Sequence, residues 1–145
     1  MVDFSNFNHL NPAGDKPVSY ELDVQGLEEP ILLDVLPALA VNKPLLNEQA
    51  KMHAKLQRKM GRKQELSVKD LEEMRSVIRR QYAQYVVKGW KNVLDASGEP
   101  VPFSVDNCHQ FLMVLPDEMF DEIADFCREA DNFLESADAE DLGKL

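Results

Sequence analysis

Long apolar runs are missing from this 145-residue chain. Nowhere do eighteen apolar residues follow one another, so no membrane-spanning helix is expected. Cysteine is scarce: Cys108 and Cys127 alone cannot build a disulfide scaffold, and two reduced thiols of a cytosolic protein are expected. Residues 1–17 hold neither a basic leader nor an apolar stretch after it, so a signal peptide is not expected. Chemistry-bearing patterns are equally sparse. The histidines are His9, His53 and His109, and no CxxC, HExxH, GxSxG or phosphate-loop pattern occurs. Cys108 and His109 are adjacent, and neighbours on a helix point about 100° apart, which is not a ligand spacing. No catalytic residue, metal or cofactor is expected, and the chain is not expected to be an enzyme.

What is present is an ordinary share of apolar residues, 44%, with 8% aromatic, enough for one folded domain. The net charge of −10 is unevenly spread. Residues 1–42 carry one basic and seven acidic side chains, residues 43–91 thirteen and five, and residues 92–145 two and fourteen. Such segregation bears on association more than on fold. The basic middle, KMHAKLQRKMGRKQ with the Arg79-Arg80 pair, could contact phosphates. It could equally face the acidic end of its own chain or of a neighbour.

Local patterns predict a mainly α domain with a small N-terminal β-hairpin, an α+β class with helices around one core. Residues 1–17, with Gly, Pro and Asn, read as a flexible arm that Phe4 and Phe7 could tack to the body. YELDV alternates apolar and acidic residues, and ILLDVL follows beyond Gly26 and Pro30; the two form a hairpin within residues 18–36. Asn42 caps a helix that begins at Lys43, has Pro44 in its first turn, and stops near Gly61. Its apolar stripe is Leu45, Gln49, Met52, Leu56 and Met60. Ser67 opens a second helix in a Ser-x-x-Asp box, and its apolar face from Leu71 to Val86 continues toward Gly89 and Trp90. A turn at residues 95–98 ends on Gly98 in the left-handed region. Val101 and Phe103 leave the turn, Ser104 caps a third helix that Pro116 stops, and a last helix runs from Asp117 to Leu134 with acids at its positive end. The domain closes at residue 134, and residues 135–145 are expected to fray.

Trp90, Gly98, Phe103 and Ser104 form the structural anchor of this plan. The turn brings Trp90 and Phe103 together, so that they pin the long helix to the C-terminal pair. A base-stacking role for Trp90 is the alternative, and no oligonucleotide groove accompanies it. Asp117, Glu118, Asp121, Glu122 and Asp125 lack the loop spacing of a calcium site and read as a solvated face.

The run VVKGWKNVLDASGEPVPFSVDNCHQFLMVLPDEMFDEI resembles a pattern of the tail assembly chaperones of long-tailed bacteriophages. There a Trp precedes an Asp-x-x-Gly turn, a Pro-Phe-Ser/Thr segment, a helix, and a proline-marked second helix. YELDVQGLEEPILLDVLPA followed by NKP is similar to the front half of such proteins, and the likeness covers residues 18–133. It implies a self-associating, helical, non-enzymatic factor of the host bacterial cytoplasm. Its partners would be the tape measure protein, which it keeps soluble, and tail tube subunits, which it helps to recruit. A virion structural or adaptor protein and a nucleic-acid binder are the alternatives. For partner contact the charged residues expected to matter are Lys51, Lys55, Arg58, Lys59, Arg62 and Lys63 on the basic side. On the acidic side they are Asp117, Asp121, Glu122 and Asp125. Met52, Met60, Met74, Met113 and Met119 would add adaptable apolar contact.

Overall fold

The computed structural model describes residues 1–62 and 65–134, without the side chain of Arg62. The expected contacts of Arg62 and Lys63, and the expected fraying from residue 135, lie outside what is described. The elements are β1 (Val18–Leu22), β2 (Ile31–Val35), α1 (Lys43–Arg62), α2 (Val68–Tyr85), β3 (Val87–Lys91), α3 (Val105–Val114) and α4 (Asp117–Arg128). Short 3-10 helices cover Ser5–Leu10 and Ala130–Phe133; the last helix therefore stops at Arg128 rather than Leu134, because Glu129 turns to an extended conformation. The class is the expected α+β, but the sheet has three antiparallel strands in the order β1-β2-β3 rather than a lone hairpin.

The third strand corrects the sequence expectation for the long helix. α2 ends at Tyr85, and Val87–Lys91 turn back along β2 instead of continuing toward Trp90 as helix. The register pairs Leu33 with Trp90 and Asp34 with Gly89, then slips so that Val35 faces Val87. Lys88 is thereby left over as a bulge. In a regular strand residues 87 and 90 would point to opposite faces, because side chains alternate. One extra residue reverses the parity, so Val87 and Trp90 share the face that carries Leu33 and Val35. Gly89 fits here because a side chain would come within 3.0 Å of the Asp34 carboxylate.

That face carries Ile31, Leu33, Val35 and Leu22, all buried, and α3 and α4 lie against it. Tyr20 of β1 meets Phe126 of α4 at 4.9 Å between ring centroids, and Trp90 of β3 meets Phe111 of α3 at 5.5 Å. From α2, Tyr82 reaches Phe120 at 5.0 Å. Each fully buried aliphatic side chain in this core, such as Leu33 or Ile123, contributes roughly 1.5–3 kcal/mol.

Three local devices set the helices. Asn42 is buried; its amide nitrogen donates to the carbonyls of Pro37 (3.1 Å) and Tyr85 (2.9 Å), and its amide oxygen accepts from Leu45 N. One side chain thus joins the end of β2, the start of α1 and the end of α2. Ser104 caps α3 by accepting from Asn107 N at 3.0 Å. At α2, Ser67 accepts from Asp70 N and Asp70 accepts from Ser67 N, a complete capping box. Ser67→Ala is expected to lower stability by about 1 kcal/mol, measurable as a shift in urea midpoint at unchanged slope.

The N-terminal arm also departs from expectation. It is not simply extended: residues 5–10 wind into a 3-10 helix, and Phe4 and Phe7 remain exposed rather than tacked onto the body.

Candidate protein-binding groove

α1 and α2 form an antiparallel helical hairpin that is closed at both ends and open between. At its base Leu45 is buried, and the Gln81 amide lies 3.5 Å from the Glu48 carbonyl oxygen. At its far end Lys59 reaches Asp70 at 3.3 Å and Glu73 at 3.4 Å. Those two carboxylates raise the Lys59 pKa through hydrogen bonds first and charge second. Between these ties lies a cleft of about 200 Å³, floored by Met52, Leu56, Met74 and Val77 and walled on the α1 side by Lys51 and Lys55.

The cleft exists because α1 presents a thin inward line. Leu45 is its one buried side chain among the described residues, and Glu48, Met52, Leu56 and Lys59 are half-buried. The expected stripe is therefore corrected at two positions: Gln49 and Met60 face solvent, and Glu48 and Lys59 take the inward places. Two unbranched methionines and two aliphatic side chains give this floor shape-adaptable apolar contact. Met113 and Met119 are half-buried elsewhere, so the methionines do not form one surface.

The charged residues divide between internal and outward use. Lys51 pairs with Glu48 of its own helix at 3.2 Å. Lys55 and Arg58 are exposed and, among the described residues, make no ion pair. On the acidic side, Asp117 accepts from Arg75 (2.9 Å) and Arg79 (2.7 Å), and Asp125 pairs with Arg128. Asp121 and Glu122 are exposed on the outer side of α4. Arg80 donates to Asp106 at 2.7 Å. The basic middle and acidic end thus meet within one chain along the α2–α3–α4 contact. The Arg79-Arg80 pair, considered above as a phosphate contact, is taken up there. The burial of Arg79 was missed because an arginine within RR on a helix carries no mark of facing inward.

Asp117 links this arrangement to pH. Arg75, by hydrogen bond and by charge, and then Arg79 hold its carboxyl below the usual value of 3.8. A pKa lower in the folded than in the unfolded chain stabilises fully above the unfolded value. The contribution is lost as pH falls through the folded value. Asp117→Asn is therefore expected to flatten the decline of stability between about pH 5 and pH 2, read from melting temperatures across that range. An unchanged acid limb would show that the carboxylate contributes nothing there.

The anchor residues sit around the turn. Gly98 has φ 82°, and its N–H donates to the Asp95 carbonyl at 3.0 Å. Trp90 Nε1 donates to the Val101 carbonyl at 2.8 Å, and its ring stands edge-on to Phe103 at 5.2 Å. Trp90 thus joins the sheet, not the end of α2, to α3 and the turn. Both cysteines are buried, and burial pushes each thiol up to about 12. His109 Nε2 lies 3.1 Å from the Ser76 carbonyl oxygen, a link between α3 and α2. Among the described residues no group of three or more His, Cys, Asp or Glu is placed to hold a metal.

Fold and groove together define a small α+β domain with an open interhelical cleft. The chain matches the model of the YdaY prophage protein family over residues 40–144 and belongs to that family, which makes it a phage-derived protein. The match runs from the residues before α1 to near the C-terminus and includes both walls of the groove. Neither a curated protein nor a solved structure matches the chain.

Proposed function

We propose that this phage protein is a non-enzymatic tail assembly chaperone, acting in the host bacterial cytoplasm. It would hold the tape measure protein soluble and help bring tail tube subunits to it. The observation that carries the proposal is the α1–α2 groove, an apolar, methionine-floored cleft rimmed by charges of both signs. A long helical partner exposes apolar stripes before it is enclosed, and a shallow cleft with flexible side chains can cover such a stripe and release it again. The phage family and the resemblance of residues 18–133 support the same reading.

Co-expression with the tape measure protein encoded nearby tests it. The partner is expected in the soluble fraction and in the pull-down, and Met52→Asp with Met74→Asp is expected to remove both. A partner that stays insoluble, with nothing co-purifying, overturns the proposal. Mass spectrometry of purified particles separates the structural alternative: a chaperone is absent, an adaptor is present at fixed copy number. The nucleic-acid alternative predicts a mobility shift at low salt with steep salt dependence. None is expected here: Asp117 and Asp106 engage the Arg79-Arg80 pair, Glu48, Asp70 and Glu73 engage Lys51 and Lys59, and the exposed Lys55 and Arg58 supply too few phosphate contacts for steep salt dependence.

A further inference from the structure

The two long helices are held unequally. α2 is tied to α3 and α4 over several turns: Arg75 and Arg79 donate to Asp117, Arg80 donates to Asp106, and Tyr82 packs on Phe120. α1 is tied to the body at its start, by Asn42, by buried Leu45 and by the Gln81 amide near the Glu48 carbonyl. Beyond Met52 the inward side chains of α1 are Leu56 and Lys59, both half-buried, and every other described residue of that length is exposed. Lys59 carries the polar reach across the gap, to Asp70 at 3.3 Å and to Glu73 at 3.4 Å. The sequence of this outer length is a poor helix on its own. Residues 49–62 contain no acidic side chain. Lys51, Lys55 and Lys59 follow one another at intervals of four, and Arg58 stands three beyond Lys55, so like charges are neighbours on the helix surface. Gly61 adds backbone freedom in the last turn, and no atom lies within 4 Å of where its side chain would stand. A helix shorter than about 12–15 residues is marginal in water without tertiary support. The carboxylates that offset the lysines belong to α2, so the outer length of α1 is helical because it is docked.

We propose that residues 53–62 of α1 undock and unwind as one cooperative unit while the rest of the domain stays folded, with Lys59 as the latch on Asp70 and Glu73. The hinge lies at Met52, where buried Gln81 stands 3.8 Å from the methionine sulfur. Opening uncovers Met74 and Val77, the part of the cleft floor that α2 supplies. Nothing else in the core needs to move, because Leu56 and Lys59 are the side chains given up and neither is buried. The event is a sub-global opening on the timescale of hydrogen exchange. It is a property of the isolated chain, so it stands or falls apart from the chaperone reading.

Native-state amide hydrogen exchange of the full chain, followed by NMR at several low urea concentrations, tests it. Relative to their unprotected rates, the amides of residues 55–62 are expected to exchange at least about 100-fold faster than those of residues 79–83 in α2. Their rates are expected to depend little on urea, because a small opening exposes little surface. Lys59→Met keeps the length of the side chain and removes the latch. It is expected to speed exchange of residues 55–62 about threefold and to leave α2 unchanged. Glu73→Gln is expected to act in the same direction, about twofold; Asp70 is kept, since it also caps α2. Gly61→Ala is expected to slow the whole unit about threefold, residue 55 included, because a cooperative unit responds throughout to a change at its end. Circular dichroism checks that each variant is folded. Exchange of residues 55–62 with the protection and urea slope of α2 overturns the proposal, since no separate unit then opens. Exchange at the unprotected rate overturns it too, since the latch then holds nothing. Unchanged rates in Lys59→Met, or a Gly61→Ala effect confined to the last turn, do the same.

Discussion

Arg79→Ala is expected to lower the stability of the domain by about 3 kcal/mol, although the residue lies on a helix rich in solvent-facing charge. Its side chain is 5% exposed. Nε donates to the Leu112 carbonyl at 3.0 Å, one terminal nitrogen donates to Asp117, and the guanidinium carbon sits 4.2 Å from the centre of the Phe120 ring. Burial and the nearby Arg75 both disfavour the charge, and Asp117 restores part of it. Truncation removes the contact with Phe120, opens a void, and leaves the last-turn carbonyl of α3 without this donor. Arg79→Met fills the void without the charge and is expected to recover about 1 kcal/mol or more of that loss. Urea unfolding of both variants measures the difference. An alanine variant within 1 kcal/mol of wild type would mean that α2, α3 and α4 hold together without this cation.

Trp90→Ala is expected to cost about 3–4 kcal/mol. The indole packs edge-on against Phe103 and Phe111 and donates to the Val101 carbonyl, so one side chain ties β3 to the turn and to α3. Trp90→Phe keeps most of the apolar contact and loses the hydrogen bond, for a loss of about 1–2 kcal/mol. Phe103→Ala in the Trp90→Ala background is expected to cost less than in wild type by about 0.5–1.5 kcal/mol, because the ring pair is already gone. Strict additivity in the double-mutant cycle would refute the pairing.

The helices were legible because their signals are local. Ser67 with Asp70, Ser104, Pro116 and the acids at the start of α4 each act within four residues, and α2, α3 and α4 begin where these signals place them. The hairpin was legible from alternation in Tyr20-Leu22 and Ile31-Leu33-Val35. β3 was not, and the cause is specific. Tyr82, Tyr85 and Val86 continue the helical spacing, and the bulge at Lys88 breaks the two-residue period by which Val87 and Trp90 could have been recognised as strand. Two adjacent valines followed by Lys, Gly and Trp were the remaining signal, and it is weak. The groove was legible only in its parts. Met52, Leu56, Met74 and Val77 were visible as apolar faces of two helices, but the gap between those faces depends on how far the helices splay. That is set at a distance, by Leu45 and Gln81 at one end and Lys59 at the other.

The Asn42 side chain gives this arrangement a mechanical character. α1 is footed on one buried amide and on Leu45 and pinned at its far end by polar ties from Lys59, while the sheet and the three remaining helices are bolted together by aromatic rings and buried aliphatic side chains. Prising its outer length away from α2 would disturb Met52, Leu56, Met74, Val77 and the Lys59 ion pairs, not the central β-layer. A change in the width of the cleft would leave the packing of the domain behind it intact, so fit at this surface is separable from folding.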